Sequence, residues 1–339
     1  MPAGIGASGY LALTFETSPG TYLPPTTAGT VFIPILSESL VYTEDKYYSQ
    51  AIRQQTIDND AKNSYYHVEG NVTYEVDSKF EPYWLYISRM VPAKTGAGPF
   101  TYTFTPAATG SAPVAGDTVT GATNRRTASI TVIRNGVGFG YAGCTVGNHA
   151  YTIEDGVLRH SMDIMGLSEQ QPGGLGTPTW QTPVLFGADA HAVYVDTAGT
   201  SPAFATPSLT FNGFTLNIND NPAPQNRITN SRAAQYISYG FTDLTIDTEL
   251  DFLSRTEYDN FKSVVKRSIK LESVPAQGTF AGATVDAFQA IVYNSVYDTY
   301  TVGLGSAPDL VMAGTTMRGL AIAGGNAYQI AVKSAATIT

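Results

Sequence analysis

Alternation of apolar and polar side chains is the feature of this sequence that most constrains its fold. In residues 71–77, and again in 244–252 apart from Thr248, apolar residues occupy every second position. Side chains of a β-strand point to opposite faces in turn, so a period of two predicts strands with one buried face. Further strand candidates are 128–132, 150–153, 214–218, 269–274 and 327–332. Asn135-Gly136 predicts a hairpin turn between two such runs, and the chain is predicted to be mainly β.

Two short segments break this alternation and predict helices. Each opens with a serine followed three residues later by a glutamate, the pattern of a capping box. In such a box the serine hydroxyl accepts from the N3 amide, and the glutamate reaches back to the N-cap amide. The pairs are Ser78 with Glu81 and Ser254 with Glu257. The pattern predicts helices over about 78–89 and 254–267.

The two helix starts also indicate an internal repeat. The serines lie 176 positions apart (254 − 78), about half of the 339-residue chain. At the same offset Lys79 falls on Arg255, Glu81 on Glu257, Leu85 on Phe261 and Leu40 on Leu216. At an offset of 177, residues 150–153 parallel 327–330. The alternative is that any two amphipathic strand–helix units resemble each other.

The repeat predicts two similar domains. Residues 1–166 form the first and residues 184–339 the second. Between them, residues 167–183 are polar and rich in Gly and Pro, which predicts a linker. Each domain is expected to be mainly β with one short α-helix.

Charge and cysteine content argue against several functional classes. The net charge is −9 and the pI about 4.9, so a protein that binds nucleic acid by neutralising phosphates is not expected. Cys144 is the only cysteine, which excludes an intramolecular disulfide and favours a small buried side chain. No apolar run is long enough for a membrane span, and no secretory signal pattern is seen.

A search for catalytic and metal-binding patterns finds little. None of the histidines are paired at the spacing of metal ligands, and each is interpreted as an ordinary surface or packing residue. Those histidines are His67, His149, His160 and His191. Gly136, Gly138 and Gly140 continue as a strand, so a dinucleotide-binding loop is rejected. No catalytic residue, metal or cofactor is predicted.

Acidic residues form one patterned surface. In the strand that ends at Asp251 the acids all have odd numbers and the apolar residues even numbers, so the acids share one face. The acids on this strand and on its counterpart are Asp243, Asp247, Glu249 and Asp251, with Glu75 and Asp77. The face is interpreted as a solvated surface, as an electrostatic device or as a carboxylate pair for acid–base chemistry.

The order of several short motifs resembles that of a siphophage tail tube protein, also called a major tail protein. The first is F-E-T-S-P-G-T at 15–21, followed by S-E-S-L at 37–40. A polar loop at 42–66 precedes the first strand–helix unit. The segment 128–146 is similar to the central hairpin of the family, and 214–221 together with 237–261 to its later strand–helix unit.

This resemblance implies a structural virion protein and not an enzyme. It also implies that each of the two domains is a β-sandwich or partly rolled barrel with one short flanking α-helix. Family members form rings whose inner strands join into a barrel, and the rings stack into the tail tube through which DNA passes during ejection. The two halves suggest the type with two tandem tube domains, in which three chains make a pseudo-sixfold ring, with six-chain rings as the alternative. Other implied partners are the tape measure protein, the tail terminator and genomic DNA that passes without specific binding. Assembly is expected in the host cytoplasm, without a membrane.

The alternation of odd and even positions along the strands then suggests which residues line the lumen of a sheathless tail tube. The predicted lumen-lining residues are Glu75, Asp77, Asp247, Glu249 and Asp251. The polar loops at 42–66 and 220–239 are assigned to contacts between stacked rings. Two other classes share the Thr/Ser/Gly-rich strands: a phage or extracellular β-sandwich adhesin that binds a receptor, and a glycoside-cleaving β-sandwich enzyme with two carboxylates.

Overall fold

The fold is known from a computed structural model, which describes residues 9–49, 60–107, 127–208, 210–228, 230–253, 255–275, 278–283, 286–303, 311–335 and 338. Its strands and helices are β1 (Tyr10–Phe15), β2 (Val31–Ile33), β3 (Ser37–Glu38), β4 (Val41–Tyr48), β5 (Ala61–Glu75), α1 (Glu81–Tyr86), β6 (Met90–Thr95), β7 (Phe100–Pro106), β8 (Ala128–Arg134), β9 (Val137–Glu154), β10 (Val157–Gly166), β11 (Ser168–Gln170), β12 (His191–Thr197), β13 (Phe211–Asn219), β14 (Pro222–Gln225), β15 (Tyr236–Tyr239), β16 (Asp243–Asp251), α2 (Thr256–Lys262), β17 (Arg267–Ser273), β18 (Ala287–Val302), β19 (Met312–Gly319) and β20 (Tyr328–Ser334). The mainly β prediction is confirmed. Among these elements neither helix is long and apolar enough to cross a membrane.

Eight strands form one continuous antiparallel sheet. Its order is β4, β5, β10, β9, β13, β16, β19 and β18. One face of this sheet carries buried apolar residues such as Val72, Ile246 and Met317, all fully buried, while the other face is polar. The alternation read from the sequence is therefore the division between a core face and a polar face.

A second layer of strands covers the core face. In the first half it has the order β2, β1, β8, β9 and β11, and in the second half β12, β17, β18, β20, β7 and β6. The long strands β9 and β18 belong to both layers. β9 changes layer near Gly143, which has φ +67° and whose missing Cβ leaves room for the side chain of Leu167. A residue with a side chain would be strained in this backbone conformation.

The same pairing order occurs in both halves. In the first half β5 pairs with β10 and β10 with β9, and in the second half β16 pairs with β19 and β19 with β18. A helix follows β5 and another follows β16. The register shift in β9 skips Gly147, and the shift in β18 skips Asp298 at the corresponding place. The helices and bulges thus recur at matching points of the two strand sets.

The two halves differ by a hairpin. Between α1 and β8 the first half contains β6 and β7, whereas α2 is followed almost directly by β17. β7 pairs with β20, so the hairpin of the first half extends the outer layer of the second half. The predicted match of 150–153 with 327–330 is wrong, because β9 pairs with β10 and β13 while β20 pairs with β18 and β7.

One large hydrophobic core contains residues from both halves. Tyr151 of β9 and Phe288 of β18, for example, pack with ring centroids 5.1 Å apart. The segment predicted as a linker is also tied to the fold. It begins as β11 against β9, and the Tyr10 hydroxyl donates to the carbonyl of Leu175 at 2.9 Å and to that of Gly176 at 3.2 Å. The halves therefore pack as one body around this connection.

The capping boxes are not formed as predicted. α1 begins at Glu81 with Phe80 as its N-cap and without a capping side chain. The Ser78 hydroxyl donates to the Asp286 carboxylate at 2.6 Å instead, and Glu81 points into the core. The prediction is wrong here because a tertiary partner replaces the local amide for each side chain.

The second helix departs from its prediction in a similar way. Ser254 lies outside the described residues, and α2 has Arg255 as its N-cap without a side-chain hydrogen bond. The carboxylate of Glu257 accepts from the Tyr297 hydroxyl at 2.8 Å. Both helices also end before the predicted limits, at Tyr86 and Lys262.

The segments predicted as polar loops contain hairpins. Residues 42–66 include β4 and the start of β5, with 50–59 outside the described residues, and 220–239 contain the β14–β15 hairpin. The two hairpins contact each other. The Tyr66 amide donates to the Arg232 carbonyl at 3.0 Å, and the Ala234 amide to the Tyr66 carbonyl at 3.0 Å.

Candidate functional site

The polar face of the eight-stranded sheet is the candidate functional site. Its members follow from strand register: in residues 69–75 of β5 and in β16 they are the odd-numbered residues, and the cross-strand partners share their face. Acidic side chains outnumber basic ones on this face. The acids are Glu69, Glu75, Glu154, Asp163, Asp243, Asp247, Glu249 and Asp251, and the bases are Arg159 and Arg318.

Hydrogen bonds across the strands hold many of these carboxylates in place. Asp247 accepts from the Thr316 hydroxyl at 2.7 Å and from the Asn217 amide at 3.2 Å. Asp163 accepts from the side-chain amides of Asn71 at 3.0 Å and Asn148 at 2.9 Å. Neutral donors leave the negative charge uncompensated, so the face keeps an acidic potential.

The two arginines compensate only part of this charge. Arg318 pairs with Asp243 at 2.7 Å, and Arg159 pairs with Glu154. Both arginine pairs are at least partly exposed, so each is a solvated surface ion pair. Of the remaining acids, Glu69 lies 3.3 Å from Nε2 of His67, and among the described residues the others, including Glu249 of β16, have no Lys or Arg side chain paired with them.

The structure places four of the five predicted lining residues on this face. Asp247, Glu249 and Asp251 follow one another along β16, and Glu75 lies on β5 opposite Arg159. Alternation in the sequence was sufficient to group them because both strands are regular at these positions.

Asp77 is not on the face. It follows the end of β5, and only 2% of it is exposed. Its carboxylate accepts from the amides of Lys79 at 2.8 Å and Val184 at 2.7 Å. Burial raises the pKa of Asp77, while these two amides act to lower it. The odd-number rule failed here because the strand ends before this residue, and Asp77 instead anchors the end of the linker.

A buried polar network lies on the opposite side of the sheet. The carboxylate of Glu81 is fully buried and accepts from the hydroxyls of Tyr74 and Tyr151. His160 Nδ1 lies 3.1 Å from the same carboxylate, and its Nε2 lies 3.0 Å from Nδ1 of His149. Sequence reasoning treated both histidines as unrelated packing residues. Their shared face on β9 and β10 could have been found only by pairing those strands.

Burial and contact set the protonation of this network. Burial acts to raise the pKa of Glu81, but His160 and the hydrogen bonds hold it below its ordinary value. Burial and the neighbouring His160 lower the pKa of His149 well below its ordinary value. Every member is enclosed by the core, so this arrangement supports packing and offers no access to a substrate.

The remaining candidates for chemistry are inert. Cys144 is fully buried in the core, as predicted, and burial raises the pKa of its thiol well above the ordinary value. Within the described part of the chain no cluster of three His, Cys, Asp or Glu residues could hold a metal ion.

Comparison with known proteins gives one result that covers nearly the whole chain. No curated relative matches the sequence. A family model described as phage tail tube protein matches residues 6–325. Proteins of this family are structural, non-enzymatic components of the virion tail, and they self-assemble into the tube. The chain therefore belongs to the phage tail tube protein family.

Proposed function

We propose that this chain carries two tandem tube domains and that three chains close one pseudo-sixfold ring of a sheathless siphophage tail tube. The observation that carries the proposal is the pairing order shared by the two halves, each contributing four strands to one sheet. The halves are already joined edge to edge by β9 and β13. A head-to-tail contact of this kind closes into a ring when the rotation per unit divides a full turn.

The size of the resulting barrel is suitable for a conduit. Three chains of eight strands each would close a barrel of 24 strands. With strands ~4.8 Å apart and tilted by ~40°, such a barrel is roughly 50 Å across its backbone. Side chains narrow this width but leave a water-filled lumen that admits a hydrated DNA duplex.

The acidic polar face supports an orientation toward the lumen. The opposite face is buried in the core of the chain, so only the polar face is free to meet solvent inside the barrel. Carboxylates there repel phosphate, and at physiological salt the repulsion extends over a Debye length of ~8 Å. DNA then passes without the counterion release that would hold it to the wall. Glu75, Asp247, Glu249 and Asp251 are the residues assigned to this role.

Two hairpins, called arms here, are assigned to contacts between stacked rings. The first arm is β4 with the start of β5, and the second is β14 with β15. In the first arm, residues 61–67 of β5 extend beyond β10 and pair only with β4 among the described strands. Aromatic side chains on this arm are exposed, with Tyr47 at 64% and Tyr48 at 52%. An exposed aromatic cluster at the end of a barrel is suited to burial against another ring. The tape measure protein and the tail terminator remain expected partners of the assembled tube.

Negative-stain electron microscopy with mass photometry tests the ring proposal. Rings with a central hole and a mass of three 36.1 kDa chains are expected. Rings of six chains would retain the tube function but contradict the tandem arrangement. A protein that stays monomeric even when a preformed tail initiator is supplied would contradict both.

A further inference from the structure

Both ends of the eight-stranded sheet have an unpaired edge. Among the described residues, the start of β4 pairs only with β5, and residues 296–302 of β18 pair only with β19. Unpaired strand edges readily pair with another chain. Which edges meet, and in which register, follows from the junction that the chain already contains.

The internal repeat fixes which residues of the two halves are equivalent. Glu75 pairs with Arg159 in the first half and Asp251 with Met312 in the second, which gives offsets of 176 for β5 to β16 and 153 for β10 to β19. The pairing of β10 with β9, and of β19 with β18, then gives an offset of 151 from β9 to β18. At this offset the bulge at Gly147 corresponds to the bulge at Asp298. Two independent markers thus agree on one alignment.

The same alignment identifies the counterpart of β13. β13 pairs with β16 as β3 and β4 pair with β5, at a constant offset of 176: Asn217 lies opposite Thr245, and Val41 opposite Glu69. The junction between β9 and β13 inside the chain therefore has a counterpart between β18 and β4. Those two strands lie at opposite ends of the sheet, so only β4 of a second copy can complete the pair in a ring.

We propose that β18 of one chain pairs antiparallel with β4 of the next, with Thr301 opposite Val41 and Thr299 opposite Thr43. This inference rests on the proposed ring and specifies its contact. It copies the register inside the chain, where Ala150 lies opposite Asn217 and Asn148 opposite Asn219.

The side chains at the two edges fit such a contact. At the internal junction the core-facing residues Tyr151, His149 and Ile218 are fully buried. Their equivalents at the edges are Val302, Tyr300 and Tyr42, which are apolar or aromatic yet partly or largely exposed, Val302 at 39%. Pairing with a second copy removes this apolar surface from water and satisfies both strand edges.

Cysteine pairs test the register in assembled rings. The natural Cys144 is buried, so introduced thiols are the accessible ones. Directly opposite residues have Cβ atoms ~4.5–5.5 Å apart and diagonal neighbours ~7–8 Å, and a disulfide needs ~3.5–4.5 Å. The variant V41C/T301C is therefore expected to form covalent multimers up to the closed ring under oxidising conditions, as seen in non-reducing electrophoresis. The off-register variant V41C/T299C is expected to remain monomeric.

The equivalent pair inside the chain provides a matched control. A150C/N217C has the same local geometry by the repeat, so it is expected to form a disulfide within one chain and to shift the mobility of the monomer without creating multimers. If this control closes and wild-type rings form, but V41C/T301C does not crosslink or the off-register pair crosslinks better, the proposed register is overturned. Absence of rings in the wild-type protein, even with a preformed tail initiator supplied, would instead contradict the proposed function.

Assembly of the variants is checked first under reducing conditions. If V41C/T301C forms no rings there, T43C/T299C tests the same register, with N148C/N219C as its internal control. Efficient multimer formation by this second pair supports the proposal, and assembled rings without a crosslink contradict it.

Discussion

Glu81 and Glu257 occupy equivalent positions at the starts of the two helices, yet their surroundings differ completely. Glu81 is fully buried and accepts from two tyrosines beside a histidine, whereas the side chain of Glu257 is 38% exposed and bonds Tyr297. At the equivalent positions of the second half, each partner of Glu81 is a different residue. Tyr74 becomes Leu250, Tyr151 becomes Val302, and His160 becomes Ala313. The second glutamate therefore lacks counterparts of these donors and accepts from the Tyr297 hydroxyl instead.

The helices themselves show the same contrast. Every residue of α1 is buried, and no described residue of α2 is. Part of the cover of α1 is the β6–β7 hairpin of the first half, which packs Phe104 against Tyr86 with ring centroids 5.4 Å apart. Phe15 of β1 also stacks on Tyr83 with ring centroids 5.4 Å apart. A glutamate on a helix covered in this way needs hydrogen-bond partners in the core.

The largest expected effect comes from breaking the buried network. E81Q leaves buried hydroxyls and a histidine without their anionic partner, so we expect a loss of about 3–5 kcal/mol in the free energy of unfolding. The matched variant E257Q acts on a partly exposed group and should cost less than about 1 kcal/mol. Urea denaturation of both variants measures the difference. Equal midpoints would contradict the comparison between the two halves.

Removing the cover of α1 should have the next largest effect. F104A deletes a fully buried ring over the helix, and we expect a cost of about 3 kcal/mol from lost burial and the remaining cavity. Y300A, the corresponding change beside α2, removes a partly exposed ring and should cost about 1–2 kcal/mol. Thermal unfolding monitored by circular dichroism ranks the two. A larger shift for Y300A would mean that the hairpin does not stabilise α1.

Acidification should destabilise the protein through the buried network of the first half. Burial lowers the pKa of His149 in the folded protein. As the pH drops below ~6.5, the unfolded chain therefore binds a proton at this histidine before the folded protein does, and the free energy of unfolding decreases. The pKa of Glu81 is lowered despite burial, because of His160, and adds a further loss below ~4.3. The slope from one histidine is at most ~1.4 kcal/mol per pH unit. H149N should flatten the profile between pH 5 and 6.5 in denaturation measurements.

Charge reversal on the polar face should change stability least. We expect the triple variant D247K/E249K/D251K to assemble normally, because these side chains lie on the solvent face. Tubes of this variant should retain DNA in a salt-dependent manner and slow its ejection. E75K, next to Arg159 in the first half, is the single-site comparison and should act in the same direction but less strongly. Unchanged ejection by the triple variant would show that this face does not line the DNA path.

Much of the fold was predictable from local patterns. Period-two alternation placed β5, β8, β9, β13, β16, β17 and β20, and Asn135-Gly136 forms the predicted turn with φ of 51° and 78°. Alternation works because each strand buries one face, and this constraint is visible in a few consecutive residues. It also grouped Asp247, Glu249 and Asp251 correctly.

The predictions failed where a long-range partner replaced a local one. Ser78 bonds Asp286, more than two hundred positions away, in place of the helix amide. Asp77 bonds Val184 at the end of the linker and leaves the acidic face. The partnership of His149 and His160 depends on the pairing of β9 with β10. None of these contacts can be read from the spacing of neighbouring residues in the sequence.

The sequence by itself determined the strand periods, the acidic face of β16, the approximate helix positions and the suggestion of a repeat. Only the tertiary structure decided that the halves share a core, that β9 joins β13, and that the first helix is covered while the second is not. The physical reason is the range of the interactions. A side chain selects its face from its nearest neighbours, but its partners are selected by burial and strand pairing across the whole chain.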